Sequence, residues 1–124
     1  MLKQDFLTED VKELSILIFS SIFGIKEEDV DDFVKNYHSN KYDYESLKKL
    51  LDENKINEAE DILFNNVVET DRDYFEMAVV FFYVLNQKEP EELEKCNYSK
   101  NEILDGLNDM AKLFNLDYLT SIFL

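Results

Sequence analysis

The sequence predicts an all-α, single domain spanning residues 1–124, a bundle of about six to eight helices around one buried central helix from Tyr74 to Leu85. Three observations predict it. The chain holds two glycines and one proline in 124 residues, too few for an all-β domain, which needs turn residues every eight to twelve positions. Residues 47–68, LKKLLDENKINEAEDILFNNVV, carry two amphipathic helical patterns separated by a very short join at residues 54–57, the signature of a helix hairpin. The segment DYFEMAVVFFYVLNQK is apolar at every position from Tyr74 to Leu85 except Glu76, as expected of a helix buried on all sides.

The first helix is expected over residues 6–23. Leu7, Val11, Leu14, Ile18 and Ile22 form a stripe at helical spacing, and Gly24 sits where a left-handed C′ residue is wanted, with Ile25 after it. Ile16, Phe19 and Phe23 make a second apolar face about 100° round from the first. A helix apolar on two faces is either central or shared with another surface. Residues 26–37 read as a short helix whose first turn holds Glu27, Glu28 and Asp29, where the helix dipole favours carboxylates.

The third helix starts from Asp43 as N-cap, with Tyr42 and Leu47 placed as a hydrophobic staple. Its inner face is Leu47, Leu50 and Leu51, and Asn54 is a plausible C′ residue. The fourth helix is expected to start at Asn57 as N-cap, with Glu60 three residues on in a capping box. Ala59, Ile62, Leu63 and Val67 share one side of it, and Ala59 permits close approach.

The central helix is capped by Thr70 or Asp71. Residues 79–85 have strong β propensity taken alone, but no turn signal interrupts the run from Asp71 to Lys88. Pro90 opens a short helical turn at the N1 position. Ser99 and Glu102 then form a capping box with Tyr98 and Ile103 as its staple. The helix they open runs to Phe114, with Ile103, Leu107, Met110, Ala111 and Phe114 inside. Gly106 costs about 1 kcal/mol in mid-helix, and close helix packing is its reason. The tail repeats Leu116, Leu119 and Ile122 and is expected to dock on the body, because free apolar tails are a liability.

Met77, Ala78 and Phe81 recur 33 residues later as Met110, Ala111 and Phe114, near the period of tetratricopeptide repeats. The other signature positions of that repeat are missing, so a tetratricopeptide-like hairpin arrangement is expected rather than a solenoid.

LLDENKINEAEDILF and LNQKEPEELEKCNYSKNEILDGLNDMAKLFNLDYL together resemble an uncharacterised family of small acidic helical proteins from Firmicutes. The resemblance covers most of the chain through the opening Lys3-Gln4-Asp5-Phe6, the hairpin at Asn54 to Asp61 and the helix start at Tyr98 to Leu107. Two departures stand out: an inserted Gln in the opening, and Ile16 to Phe19 in place of basic residues in the first helix. No activity is assigned to that family, so the resemblance implies no catalytic residue.

Composition narrows the function. A formal charge of −15 repels phosphate, which disfavours nucleic acid and anionic membranes as partners. Cys96 is the single cysteine, which excludes an internal disulfide and fits a reducing cytoplasm. The apolar run at 77–85 is too short to span a bilayer. The acidic start, with Asp5, Glu9 and Asp10, is unlike a signal peptide.

The chemistry-bearing residue types do not assemble into a motif. His38 is the lone histidine and has Lys35 three positions before it, unlike the Glu-x-x-His pairs of di-iron bundles. The run Asp29-x-Asp31-Asp32 lacks the Gly and Glu of a calcium loop, having Val34 and Asn40 in those places. Cys96 has only Lys95 as an adjacent cation and no activating base in sequence. No metal, cofactor or catalytic residue is therefore expected, and the carboxylates single out no acid–base pair. Tyr37, His38, Tyr42 and Tyr44 cluster with Lys35 and Lys41, either to grip a ligand or to pack locally.

The residues expected to contact a partner are Ile16, Phe19 and Phe23. That face is covered by the tail at 116–123, by a second copy in a C2 dimer, or by a partner helix. The expected function is a non-enzymatic helical interaction module, either monomeric or dimeric. The alternatives are an acidic decoy of a nucleic-acid-binding protein and a small enzyme built on perturbed carboxylates.

Overall fold

Asp71 starts the helix on which the rest packs. Its carboxylate accepts from the Asp73 N–H at 3.0 Å, and α5 (Arg72–Leu85) follows. The computed structural model describes residues 2–121, with side chains from Phe6 onward. Among these residues no strand occurs and seven α-helices do. In chain order they are α1 (Leu2–Phe23), α2 (Val30–Lys35) after a 3-10 turn at Glu27–Asp29, α3 (Tyr44–Asp52), α4 (Ile56–Asn65), α5, α6 (Pro90–Lys95) and α7 (Lys100–Leu113), then a 3-10 turn at Asp117–Leu119.

Ten of the fourteen residues of α5 are buried. Burial of each large apolar side chain is worth about 1.5–3 kcal/mol relative to exposure, and that gain selects helix over the strand propensity of residues 79–85. α1 and α7 pack on α5 and on each other, α2 and α3 cover further sides, and α4 is carried by α3. Met77, Ala78 and Phe81 lie on α5, and Met110 and Ala111 on α7, with Phe114 at its C-cap; all six are buried. The 33-residue recurrence therefore falls on the two inner faces that pack together.

Helix ends are closed by left-handed residues. Gly24 has φ +68°, and Asn54, Asn97 and Asn115 have φ of 60°, 56° and 59°. At each Asn the two Schellman hydrogen bonds are present. Lys55, Tyr98 and Leu116 donate their N–H groups to Leu50, Leu93 and Ala111, and the three asparagines donate to Leu51, Glu94 and Lys112. Asn is the residue other than Gly that best tolerates this conformation, so a chain with two glycines still turns sharply at four helix ends.

The N-caps at Asp43 and Ser99 are as expected: Ser46 N–H donates to Asp43 at 3.1 Å and Glu102 N–H to Ser99 at 3.3 Å. In the Ser99 box the Glu102 carboxylate accepts from the Ser99 hydroxyl at 3.3 Å. The capping box expected at Asn57 is not formed. α4 starts one residue earlier, at Ile56, because the Asn54 turn spends the Lys55 N–H on α3 and leaves Lys55 as N-cap. Asn57 instead donates to the Cys96 carbonyl at 3.3 Å, and Glu60 accepts from the Tyr98 hydroxyl at 2.5 Å. Both side chains thus tie α4 to the turn between α6 and α7.

Gly106 lies where α7 meets α5 and α4. A Cβ there would sit 2.8 Å from the Phe82 ring and 3.0 Å from a Glu60 oxygen, so packing is the reason for this helical glycine. The tail docks as expected: Leu116 and Thr120 are buried, and the segment packs on α7 and α1. Thr120 donates to Asn108 and Asp117. Ile122 lies outside the described residues.

The Asn115 turn offers a direct test of these caps. Asn115→Gly should match the parent or gain up to about 1 kcal/mol, and Asn115→Ala should lose about 1–2 kcal/mol, the left-handed penalty for an L side chain. Urea unfolding midpoints separate the two outcomes.

Candidate functional site

The C-terminal end of α5 is covered by short elements: α2 has six residues and α3 nine. Two adjoining clefts remain there, sharing Asp31, Gln87 and Lys88 in their walls. The first, about 950 Å³, lies between α2, α3 and the end of α5. Its floor is Val34, Tyr37, Tyr44 and Val84. The floor is braced by a chain of edge-on rings running from Tyr44 through Tyr37, Phe33 and Phe19 to Tyr83, with centroids 5.0–6.1 Å apart. Burial pushes the Tyr44 hydroxyl up to about 12 and drives that of Tyr37 above its ordinary range, with Glu76 adding to the latter. Both phenols are therefore neutral at physiological pH.

Lys35, Lys48, Lys49 and Lys88 rim this floor. Lys48 pairs with Asp52 at 2.6 Å, and Lys88 with Glu92 at 3.4 Å. Among the described residues neither Lys35 nor Lys49 makes an ion pair. The second cleft, about 510 Å³, adds Lys12 and Lys100. Together the clefts carry six lysines and six carboxylates, in a chain where carboxylates outnumber basic groups 28 to 13. They form a locally neutral zone on an acidic body.

A third cleft, about 330 Å³, has the opposite character. Glu60, Asp61, Glu102, Asp105 and Asp109 surround it beside Gly106. Burial holds the Glu60 carboxyl above the ordinary glutamate range, and repulsion from Glu102, Asp61 and Asp109 adds to this against the hydroxyl of Tyr98. Among the described residues no group of His, Cys, Asp and Glu has the arrangement of a metal site.

The three residues expected to meet a partner divide. Phe19 is fully buried, edge-on to Phe33 of α2 at 5.6 Å and to Tyr83 of α5 at 6.1 Å. Phe23 is half-buried with its ring 6.1 Å from Phe75, and Ile16 is half-buried against the core. Among the described residues, the rings on Phe19 and Phe23 come from α2 and α5. After the Gly24 turn, Phe33 of α2 meets Phe19, which is a buried core residue.

The Tyr37–Tyr44 cluster also separates. Tyr37, Tyr44 and Lys35 line the first cleft. Lys41 and Tyr42 clasp the start of α5: Lys41 reaches Asp73 at 2.7 Å and Asp71 at 3.3 Å, and the Tyr42 hydroxyl donates to Asp71 at 2.5 Å. His38 is exposed beside Glu45 at 3.1 Å. The Cys96 thiol is half-buried and donates to the Glu92 carbonyl at 3.4 Å.

Sequence reasoning flagged Lys35 with Tyr37 and Tyr44 but missed the rest of the lysine rim and Lys100. Lys35, Lys48, Lys49 and Lys88 sit on three elements with no shared spacing. Lys100, just inside a capping box, reads as a solvated first-turn residue.

The fold and its clefts belong to a domain that is all-helical among the described residues. A family model described as a family of unknown function (DUF6483) matches residues 1–115, and the chain belongs to that family. No curated protein and no solved structure matches it. Among the described residues no helix is long and apolar enough to cross a membrane.

Glu60 supplies a pH test. Its folded pKa is raised, so the folded state holds this proton more tightly than the unfolded chain does. The stability it contributes is present below the unfolded value, about 4.3, and is lost as pH rises through the folded value. At neutral pH the ionised group is a cost. Glu60→Gln keeps an acceptor for Tyr98 and removes the charge. It should melt at a higher temperature than the parent at pH 7, with the difference closing towards pH 4.

Proposed function

We propose that this chain is a non-enzymatic interaction module that binds a short amphipathic segment of another protein in the first cleft. An apolar or aromatic residue of that segment lies on the floor of Val34, Tyr37, Tyr44 and Val84, and flanking carboxylates meet the lysine rim. The observation that carries this reading is the lysine-rimmed aromatic floor on a body of charge −15. The same rim carries Asp31, Glu45, Asp52 and Glu92, with Asp52 and Glu92 paired to Lys48 and Lys88, so Lys35 and Lys49 are the cations left to meet a partner's carboxylates, and helix-lined grooves take amphipathic segments. The net charge opposes the approach of an acidic segment, but at physiological salt the Debye length is about 8 Å. The carboxylates beyond the cleft are screened, and Asp52 and Glu92 within it are already paired with Lys48 and Lys88.

The non-enzymatic part of the reading is supported by the separation of the reactive groups. His38 stands outside the cleft on Glu45, and Cys96 hydrogen-bonds a backbone carbonyl. The lone thiol keeps a cytoplasmic location as the matching expectation. The α3–α4 hairpin, turned by Asn54, fits the tetratricopeptide-like arrangement expected of protein-binding helices.

NMR titration with an acetylated Glu-Glu-Leu-Phe-Glu-Glu peptide tests the cleft. Shifts should concentrate at Tyr37, Tyr44 and Val84, and the Lys35→Glu, Lys49→Glu double variant should bind at least tenfold more weakly, about 1.4 kcal/mol. Absence of localised shifts at millimolar peptide overturns the reading. Preference for a Lys-Lys-Leu-Phe-Lys-Lys peptide overturns it too and supports the acidic-decoy alternative.

One observation favours a homodimer through α1 as a second reading. Phe6 is 68 % exposed, and Leu17, eleven residues on and half-buried, falls on the same helix face. Ile16 and Phe23 extend the apolar surface beside it. Light scattering should then give a mass that rises with concentration and falls in Phe6→Glu. A monomer at every concentration sinks this reading and leaves the cleft untouched.

A further inference from the structure

Lys100 is the one lysine in the clefts that the fold has taken out of water. It is 1 % exposed and forms part of the wall of the second cleft. Its Nζ donates to the Asn86 carbonyl at 2.6 Å and to Asn86 Oδ1 at 3.3 Å. Asn86 is held in turn, donating its carboxamide to the Thr8 carbonyl at 2.9 Å. An ammonium has three donors, and among the described residues these are its only two acceptors, both neutral. No described carboxylate forms an ion pair with it, and Glu89 on the same cleft supports its charge only from beyond ion-pair distance. A buried cation without a counter-ion is costly unless a matching charge arrives.

The surroundings select the kind of charge. Lys12 from α1 stands on the same cleft, exposed and without an ion pair among the described residues. Lys88 is engaged with Glu92 and with Asn54. Glu9, Asp31 and Glu89 also face the space, and Asp31 already accepts from the Tyr83 hydroxyl. Three lysines and three carboxylates leave the cleft neutral, so one added negative charge answers Lys100, whereas a doubly charged phosphate is repelled by the acids.

We propose that the second cleft is a carboxylate-binding site, with Lys100 as its buried cation and Lys12 as its exposed one. Gln87, in the shared wall, supplies an amide to the same space. The site rests on the interaction-module reading only for the source of its carboxylate: an acidic residue of the bound segment crosses from the first cleft past Lys88. The site's own chemistry stands without it. Burial lowers the lysine's affinity for its proton, opposed by Glu89, and a bound carboxylate reverses that change.

The experiment is a titration of the full chain, carrying 13C,15N-labelled lysine, with sodium acetate against sodium chloride at equal ionic strength. The Lys100 side-chain signals should move saturably with acetate, and its apparent pKa should rise by about one unit at saturation, a tenfold tighter hold on the proton. Signals of Lys26, Lys95 and Lys112, away from the clefts, should move only as they do in chloride. In Lys100→Met the saturable shift at Lys12 should vanish. If that variant does not fold, the parent titration decides alone. Overturning results are a Lys100 signal that moves no more with acetate than with chloride, or a Lys12 shift that survives in Lys100→Met. Either would leave Lys100 as a cap on the carbonyl of Asn86, the residue after α5, and nothing more. Acetate has no apolar body, so a saturable acetate shift alongside failed peptide binding would sink the first-cleft reading and keep this one.

Discussion

The constraint behind this structure is the need to cover α5 on every side. A helix that is apolar over most of its circumference cannot lie on a surface, and Phe75, Met77, Ala78, Val79, Val80, Phe81 and Phe82 are each no more than 1 % exposed. The other helices act as its covers. α1 and α7 take the two longest sides and also pack on each other, while α2 and the α3–α4 hairpin close the rest. Side-chain size sets how close each approaches. Gly106 lets α7 settle against Phe82, and the 0 % exposure of Ala59 marks the tight side of α4.

Apolar burial is non-directional, so register has to come from polar contacts. Three tyrosine hydroxyls donate to carboxylates across elements: Tyr42 to Asp71, Tyr83 to Asp31 and Tyr98 to Glu60. In each case the ring is at least partly buried and the hydroxyl reaches an acid towards the edge. In a chain this rich in carboxylates such acceptors are plentiful, and a hydrogen bond to a charged group contributes about 1.5–3 kcal/mol, which at Glu60 is outweighed by the burial of its charge. Asn57 on the Cys96 carbonyl and Asn86 on the Thr8 carbonyl add two more ties between distant segments. Among the described residues no buried side-chain nitrogen or oxygen lacks a partner.

The clefts arise where this covering is thinnest. The six residues of α2 and nine of α3 leave the C-terminal end of α5 partly open, and lysines from α1, α2, α3, α7 and the turn after α5 converge on the gap. The binding surface is thus a consequence of element length, and its charge comes from residues that are far apart in sequence. The acidic cleft at Glu60 lies on α4 and α7, so the molecule separates a neutral, lysine-bearing region from a strongly negative one.

The sequence by itself determined the helical class, the central place of α5, the caps at Asp43 and Ser99, the choice of Thr70 or Asp71 for the α5 cap, the turns at Gly24 and Asn54, and the packing role of Gly106. These depend on periodicity and on interactions within a few residues, which the local chain dictates. Asn97 and Asn115 carried the same turn signal as Asn54 and were legible on the same grounds. Tertiary structure decided the rest. The Asn57–Glu60 capping box was locally sound, yet both side chains found partners near Cys96 and Tyr98, because contacts between elements outweigh a single cap. Phe19 looked like a free second face until α2 folded back over it, a position no spacing rule encodes. Nothing in the sequence marked Lys100, because burial is set by what lies above a residue, and only the assembled bundle places Asn86 and the second cleft there.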